Sequence, residues 1–194
     1  MKQFKGYERK EQVDYEPLPK GAYVIKILSI KEEANKNSSG THLKMAFDIA
    51  EGEYKGFYDA AFKNDTREDK KWNNDAVIYL SVPEDNSPQW QIDTFNKFMT
   101  AVEDSNEGYH WNWDENTLKN KLIGAKFCIE QSEYDGRIYD HTKAKWFIPA
   151  QKVRDGKAGK LPNDKLLVPE PGKPEGSTDF MNIPDSISDE EIPF

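Results

Sequence analysis

The chain has 194 residues, with 27 Lys+Arg against 35 Asp+Glu (formal net charge −8), and it combines only 36% apolar residues with 12% aromatic. A single cysteine, Cys128, excludes an intrachain disulfide and a multi-cysteine zinc or iron–sulfur site. The charged start MKQFKGYERKEQVDYEP lacks the apolar run of roughly 7 to 15 residues that a signal peptide needs, and no stretch approaches the ~18 apolar residues of a membrane helix, so a reducing, cytoplasmic setting is expected.

Residues 1–20 read as a polar N-terminal arm. Gly21 to Lys31 (GAYVIKILSIK) is rich in β-branched and aromatic residues and predicts a strand, closed by the turn-forming cluster Asn35 to Gly40. In Thr41 to Ile49 the apolar Leu43, Met45, Phe47 and Ile49 alternate with His42, Lys44, Ala46 and Asp48. That is the period of a strand buried on one side, so Lys44 is expected to face solvent or a ligand. Gly52 to Gly56 predicts a hairpin connection into a further strand, Phe57 to Lys63, and after a charged loop Ala76 to Val82 (AVIYLSV) predicts another.

Ser87-Pro88 is a helix start, and Ile92, Phe95, Met99 and Val102 recur on one helical face with Phe98 beside them. Trp90, Phe95 and Phe98 are assigned to the helix core, while Trp111 and Trp113 are expected to pin a loop onto the body. Asp114 caps a further short helix before a strand at Leu122 to Ser132. The Asp135-Gly136 turn then leads into a last strand, Ile138 to Pro149. Strands, a helix, then a two-stranded hairpin, without strand–helix alternation, is the order of a mainly β, five-stranded OB-fold barrel with a helix between strands 3 and 4, here over residues 21–153. An SH3-like barrel or a helix-on-sheet α+β fold shares that order.

The excess acid lies in the tail. Residues 161–194 carry 2 basic and 8 acidic side chains, and Pro, Gly and Ser replace alternating apolar residues. Such a segment cannot offset the entropy of ordering it, so residues 154–184 read as a flexible linker and residues 185–194 as an acidic tip. The body is left nearly neutral and free to gather its cations on one face.

Asp189, Glu190 and Glu191 are followed by Ile192, Pro193 and Phe194. Two apolar side chains suit a small pocket, Pro lowers the entropy lost on docking, and the carboxylates suit Arg or Lys around it. The end resembles the C-terminal tip of single-stranded DNA-binding proteins, with Glu190 and Glu191 in place of the usual Asp. The resemblance implies that these six residues recruit replication, recombination or repair proteins. The body is similar to a group of phage-encoded single-stranded DNA-binding proteins. That similarity runs through Leu18-Pro19-Lys20-Gly21-Ala22-Tyr23, through Asp48-Ile49-Ala50-Glu51-Gly52-Glu53-Tyr54-Lys55-Gly56, and through residues 111 to 124. It implies an OB-fold in the host-cell cytoplasm but transfers no base-contacting residue.

Single strands are held by bases stacked on aromatic rings along a groove lined with Lys and Arg. The loop KNDTREDKKW places Lys63, Arg67, Lys70 and Lys71 beside Trp72, with three acids that reduce its net charge to +1. Trp72 either stacks on a base or covers the barrel. The last hairpin interleaves Arg137, Tyr139, Lys143 and Lys145, with Lys126 on the partner strand. Strict alternation puts Tyr139 with the cations and Trp146 on the core side. Tyr58 and Phe62 share one face of their expected strand and are further stacking candidates.

His42, His110 and His141 are scattered, and no phosphate-binding, nucleophile-elbow or dinucleotide motif occurs. No catalysis, cofactor or metal is expected, and Cys128, in an apolar strand, reads as inert packing. The expected function is salt-sensitive, sequence-independent coating of single-stranded DNA, with partners recruited by the tip and no membrane association. Self-association is compatible with this. A protein-interaction adaptor without DNA binding, or a strand-annealing mediator, are the alternatives.

Overall fold

The computed structural model describes residues 17–36 and 40–167. The expected tail beyond Leu167, with its tip, and most of the expected N-terminal arm lie outside these residues. Strands β1 (Ala22–Ala34), β2 (Thr41–Ile49), β3 (Val77–Ser81), β4 (Leu122–Tyr134) and β5 (Arg137–Ile148) form one antiparallel sheet in the order β3-β2-β1-β4-β5. Helix α2 (Gln89–Ser105) separates β3 from β4, and two short helices, α1 (Phe57–Asn64) and α3 (Ala150–Arg154), complete the set. Among the described residues no helix is long and apolar enough to cross a membrane.

Alternation fixes which side of the sheet is interior. Ile123, Ile25 and Ile49 lie on one cross-strand row, and Phe47 pairs with Ile27, Met45 with Ile78 and Leu43 with Leu80. All are buried. A bulge between Ile27 and Ser29 resets the period, so that Ile30 faces the interior beside Met45 while Lys31 and Glu33 turn outward. Helix α2 closes the core with Phe95, Phe98, Met99 and Val102; Phe98 meets Phe147 of β5 edge to face at 4.8 Å.

The stretch Phe57–Lys63, expected as a strand, is the helix α1 instead. Gly56 takes a left-handed conformation (φ 74°) that β-branched or bulky residues avoid, turning the chain out of the sheet. The helix receives no side-chain cap from Gly56. Asp48 of β2 supplies it: Oδ1 accepts the N–H groups of Ile49 (2.8 Å) and Tyr58 (2.9 Å), and Oδ2 that of Asp59 (3.1 Å). Tyr58 is thereby driven into the core against Phe47.

The start of the expected linker is also part of the fold. β1 pairs with β4 only as far as Lys126, which leaves the next stretch of that strand's edge open. Lys165 fills it, donating its N–H to Ile129 and accepting that of Gln131 (both 2.9 Å), while Asp164 accepts the Ile129 N–H and pairs with Lys20. An unpaired strand edge is costly to bury, and this strap satisfies it.

Gly124 sits where β4, β5 and α3 meet, and a Cβ there would stand 2.8 Å from both the Ile148 carbonyl oxygen and Val153 Cγ2. Gly124→Ala is expected to cost about 1–3 kcal/mol through forced displacement of packed groups, read as a lower urea midpoint. An unchanged midpoint would show that α3 is not held at this contact.

Candidate nucleic-acid interface

The outward row of the sheet carries Lys31 of β1, Lys44 of β2 and Tyr79 of β3, each directly opposite the next. Tyr79 is 55% exposed, with Lys44 Nζ 5.9 Å from its ring centroid and the His42 ring 5.6 Å away. Glu33 borders the row, 3.2 Å from Lys31 and 4.0 Å from Lys44. The Lys31 hydrogen bond, aided by nearby Lys44, holds the Glu33 carboxyl below the ordinary carboxylate range.

The row continues across the gap between the sheet's two edge strands. The Tyr79 hydroxyl donates to Asn74 Oδ1 (3.4 Å), and Lys143 Nζ of β5 donates to the Asn74 carbonyl (3.0 Å). Asn74 belongs to a 3-10 turn, Asn74–Ala76, capped by the Asn73 side chain. Asp75 of that turn holds Lys143 at 2.9 Å and His141 Nδ1 at 3.1 Å, and His141 Nε2 lies 2.9 Å from Ser132 Oγ. Beyond it Tyr139, 43% exposed and opposite Ser132, and then Arg137, opposite Tyr134, extend the same outward side. A groove of about 780 Å³ runs beside this stretch, lined by Asn74, Asp75, Gln131, Tyr139 and His141 among others. The result is a strip from β1 to the tip of the β4–β5 hairpin in which Lys31, Lys44, Lys143 and Arg137 flank the exposed rings of Tyr79 and Tyr139, with the carboxylates of Glu33 and Asp75 set among them.

Ser132, His141 and Asp75 follow the order of an acyl-transfer relay. Ser132, however, lies within an antiparallel ladder and not on a sharp turn that would aim successive N–H groups at an oxyanion. No group of three or more His, Cys, Asp or Glu side chains suited to a metal ion occurs among the described residues. Cys128 is buried, and burial raises its thiol pKa, which disfavours the reactive thiolate.

Of the residues singled out from sequence, Lys44, Arg137, Tyr139 and Lys143 lie on the strip. Tyr58 does not: it is a core residue, 2% exposed. Lys126, though on the outward side of β4, is also covered; its Nζ donates to the carbonyl of Lys160, in the chain that leads to the strap. Trp146 corrects the opposite expectation. A bulge at Lys145 breaks the alternation of β5, pairing Lys126 with Trp146 but Phe127 with Ala144. Trp146 therefore joins the outward side and is 47% exposed, while Lys145 turns to Glu130 at 3.0 Å.

The remaining candidates gather beside α1. Phe62 and Trp72 have ring centroids 5.6 Å apart, and Lys70 lies over Phe62 at 4.7 Å. Trp72 is half-buried against the core and donates to the Ala76 carbonyl at 3.3 Å, the covering role. Lys63 is paired with Asp59, and Arg67 with Asp65, whose carboxyl is held down to about 2 by that guanidinium; Lys71 lines a groove next to Trp72. The tip residues Asp189 to Phe194 fall outside the described residues.

Tyr79, Lys31, His42, Asn74, Asp75 and His141 were not legible as site residues. Tyr79 had a signal, since in AVIYLSV it stands out of phase with the buried Ile78 and Leu80. Trp90 is exposed, against the expectation of a core position; Trp111 packs against the core, and Trp113, at φ 66°, stacks over Phe95 at 6.2 Å while the rest of its side chain is exposed. In comparisons with known proteins, no protein-family model matches the chain and no curated protein matches it.

Proposed function

We propose that this protein binds single-stranded DNA, without base specificity, along the strip from Lys31 to Arg137. The observation that carries the reading is the connected row Lys44–Tyr79–Asn74–Lys143, which joins a stacking platform to phosphate-neutralising cations across the gap between β3 and β5. Stacking is sequence-tolerant because every base has a π-face, and Lys contacts to phosphate carry no base information. The strand order has the neighbours of an OB barrel apart from a β3–β5 pairing. In this reading the Asn74–Ala76 turn, hydrogen-bonded to β5, takes the place of that seam. The C-terminal tip recruits replication, recombination or repair proteins, and the protein works in the cytoplasm of a phage-infected host.

Titration of a fluorescent poly-dT oligonucleotide tests the reading. Binding is expected at low salt, with log K falling linearly in log salt by about 0.7 per phosphate neutralised. No binding at low salt removes the proposal. It leaves a protein-interaction adaptor, the second reading, which the exposed indoles Trp90 and Trp113 favour.

A further inference from the structure

We propose that the Asp75 carboxylate marks a phosphate subsite, occupying in the unliganded protein the place that one backbone phosphate takes between Lys143 and His141. This rests on the single-strand reading above and deepens it: it names the group that meets these two side chains and the residue that competes with it.

Two nitrogen donors converge on one carboxylate oxygen, Lys143 Nζ at 2.9 Å and His141 Nδ1 at 3.1 Å. Each also has a contact besides the Asp75 carboxylate, that of Lys143 lying on the same turn. Lys143 Nζ also donates to the Asn74 carbonyl, and the His141 ring is oriented by Ser132 at its other nitrogen. The arrangement is therefore a preformed pair of donors that an oxyanion fills, and a phosphate oxygen offers the same charge-assisted hydrogen bonds as a carboxylate oxygen. The present occupant is the side chain of a turn residue and takes no part in the sheet ladder, so rotation of that side chain clears the place while the turn backbone, and the Asn74 carbonyl that holds Lys143, stay where they are. Tyr139 and the groove of about 780 Å³ lie alongside, where a base stacked on that ring leaves its phosphate next to Lys143 and His141.

Asp75 then opposes binding: a strand must displace it or remain one or two phosphate contacts short. The variant Asp75→Asn keeps the shape and removes the charge. It is expected to bind poly-dT about 3–10-fold more tightly at low salt, and to steepen the salt dependence by about 0.7 to 1.4 in slope. Asp75→Ser, the second neutral variant, should shift in the same direction and guards against a folding failure of the first, with thermal melts run on both. Asp104→Asn removes an equal charge from the exposed side of α2, outside the strip and the groove, and should change affinity by less than about 2-fold. In a Lys143→Gln background the gain from Asp75→Asn should shrink to under half.

The inference is overturned if folded Asp75→Asn and Asp75→Ser bind no more tightly than the parent protein. It is overturned equally if Asp104→Asn gives the same gain, since bulk charge then explains it, or if the gain persists without Lys143. Failure of the parent and both neutral variants to bind at any salt would instead sink the single-strand reading itself.

Discussion

Replacing Asp48 with alanine is expected to destabilise the protein by about 3 kcal/mol, the sum of a lost helix cap and buried N–H groups left without acceptors. The side chain is 6% exposed and satisfies three backbone donors, two of them in the first turn of α1. Gly56 offers no side chain to take over. The damage extends beyond the cap because Tyr58, whose N–H is one of the three, is wedged edge-on against Phe47 at 5.8 Å and Phe57 at 5.1 Å. Asp48→Asn keeps one acceptor oxygen but turns an amide N–H₂ toward donors, so about half the loss is expected. Urea unfolding checks both variants: the midpoint should fall with little change in the denaturant slope. A wild-type midpoint for Asp48→Ala would mean that α1 is held by Tyr58 packing alone.

That same carboxylate explains why α1 could not be read from its own residues. FYDAAFK has the aromatic content of a strand, and what decides for helix is an acceptor ten positions upstream on a neighbouring element. The strands with clean alternation, Thr41 to Ile49 above all, were legible because one face had to be apolar whatever surrounded it. Alternation failed at Lys145, where one extra residue inverts Trp146, and a bulge leaves no mark in composition. The strap was illegible for a related reason. Asn163 to Leu167 has no apolar period, and it is ordered by the backbone groups that β4 presents where β1 ends. In the candidate site, Lys44, Tyr139 and Lys143 followed from alternation within single strands. Tyr79, Asn74 and Asp75 acquire meaning only when β3 and the turn before it are brought against β2 and β5, a relation between segments up to 69 residues apart.

Tyr79 is where the single-strand reading is most exposed to refutation. A base stacked on an aromatic ring contributes about 1–3 kcal/mol, so Tyr79→Ala should weaken poly-dT binding by roughly 5- to 150-fold, whereas Tyr79→Phe should lose little. The ring is accessible and its hydroxyl bond to Asn74 is long, at 3.4 Å, so the alanine variant removes a platform without opening the core. Lys44→Ala separates the two contributions: it should weaken binding less and flatten the salt dependence by about 0.7 in slope, the signature of one lost phosphate contact. The competing location is the cluster beside α1, where Phe62 lies under Lys70. If Phe62→Ala and Lys70→Ala abolish binding while Tyr79→Ala leaves it intact, the strand runs past α1. The row from Lys31 to Arg137 would then be only the surface that holds β3 and β5 together. If the losses fall on Tyr79 and Lys44, the strand lies across the outward side of β2 and β3, and its next contacts are the Lys143 and Tyr139 of β5 that the Asn74–Ala76 turn brings alongside.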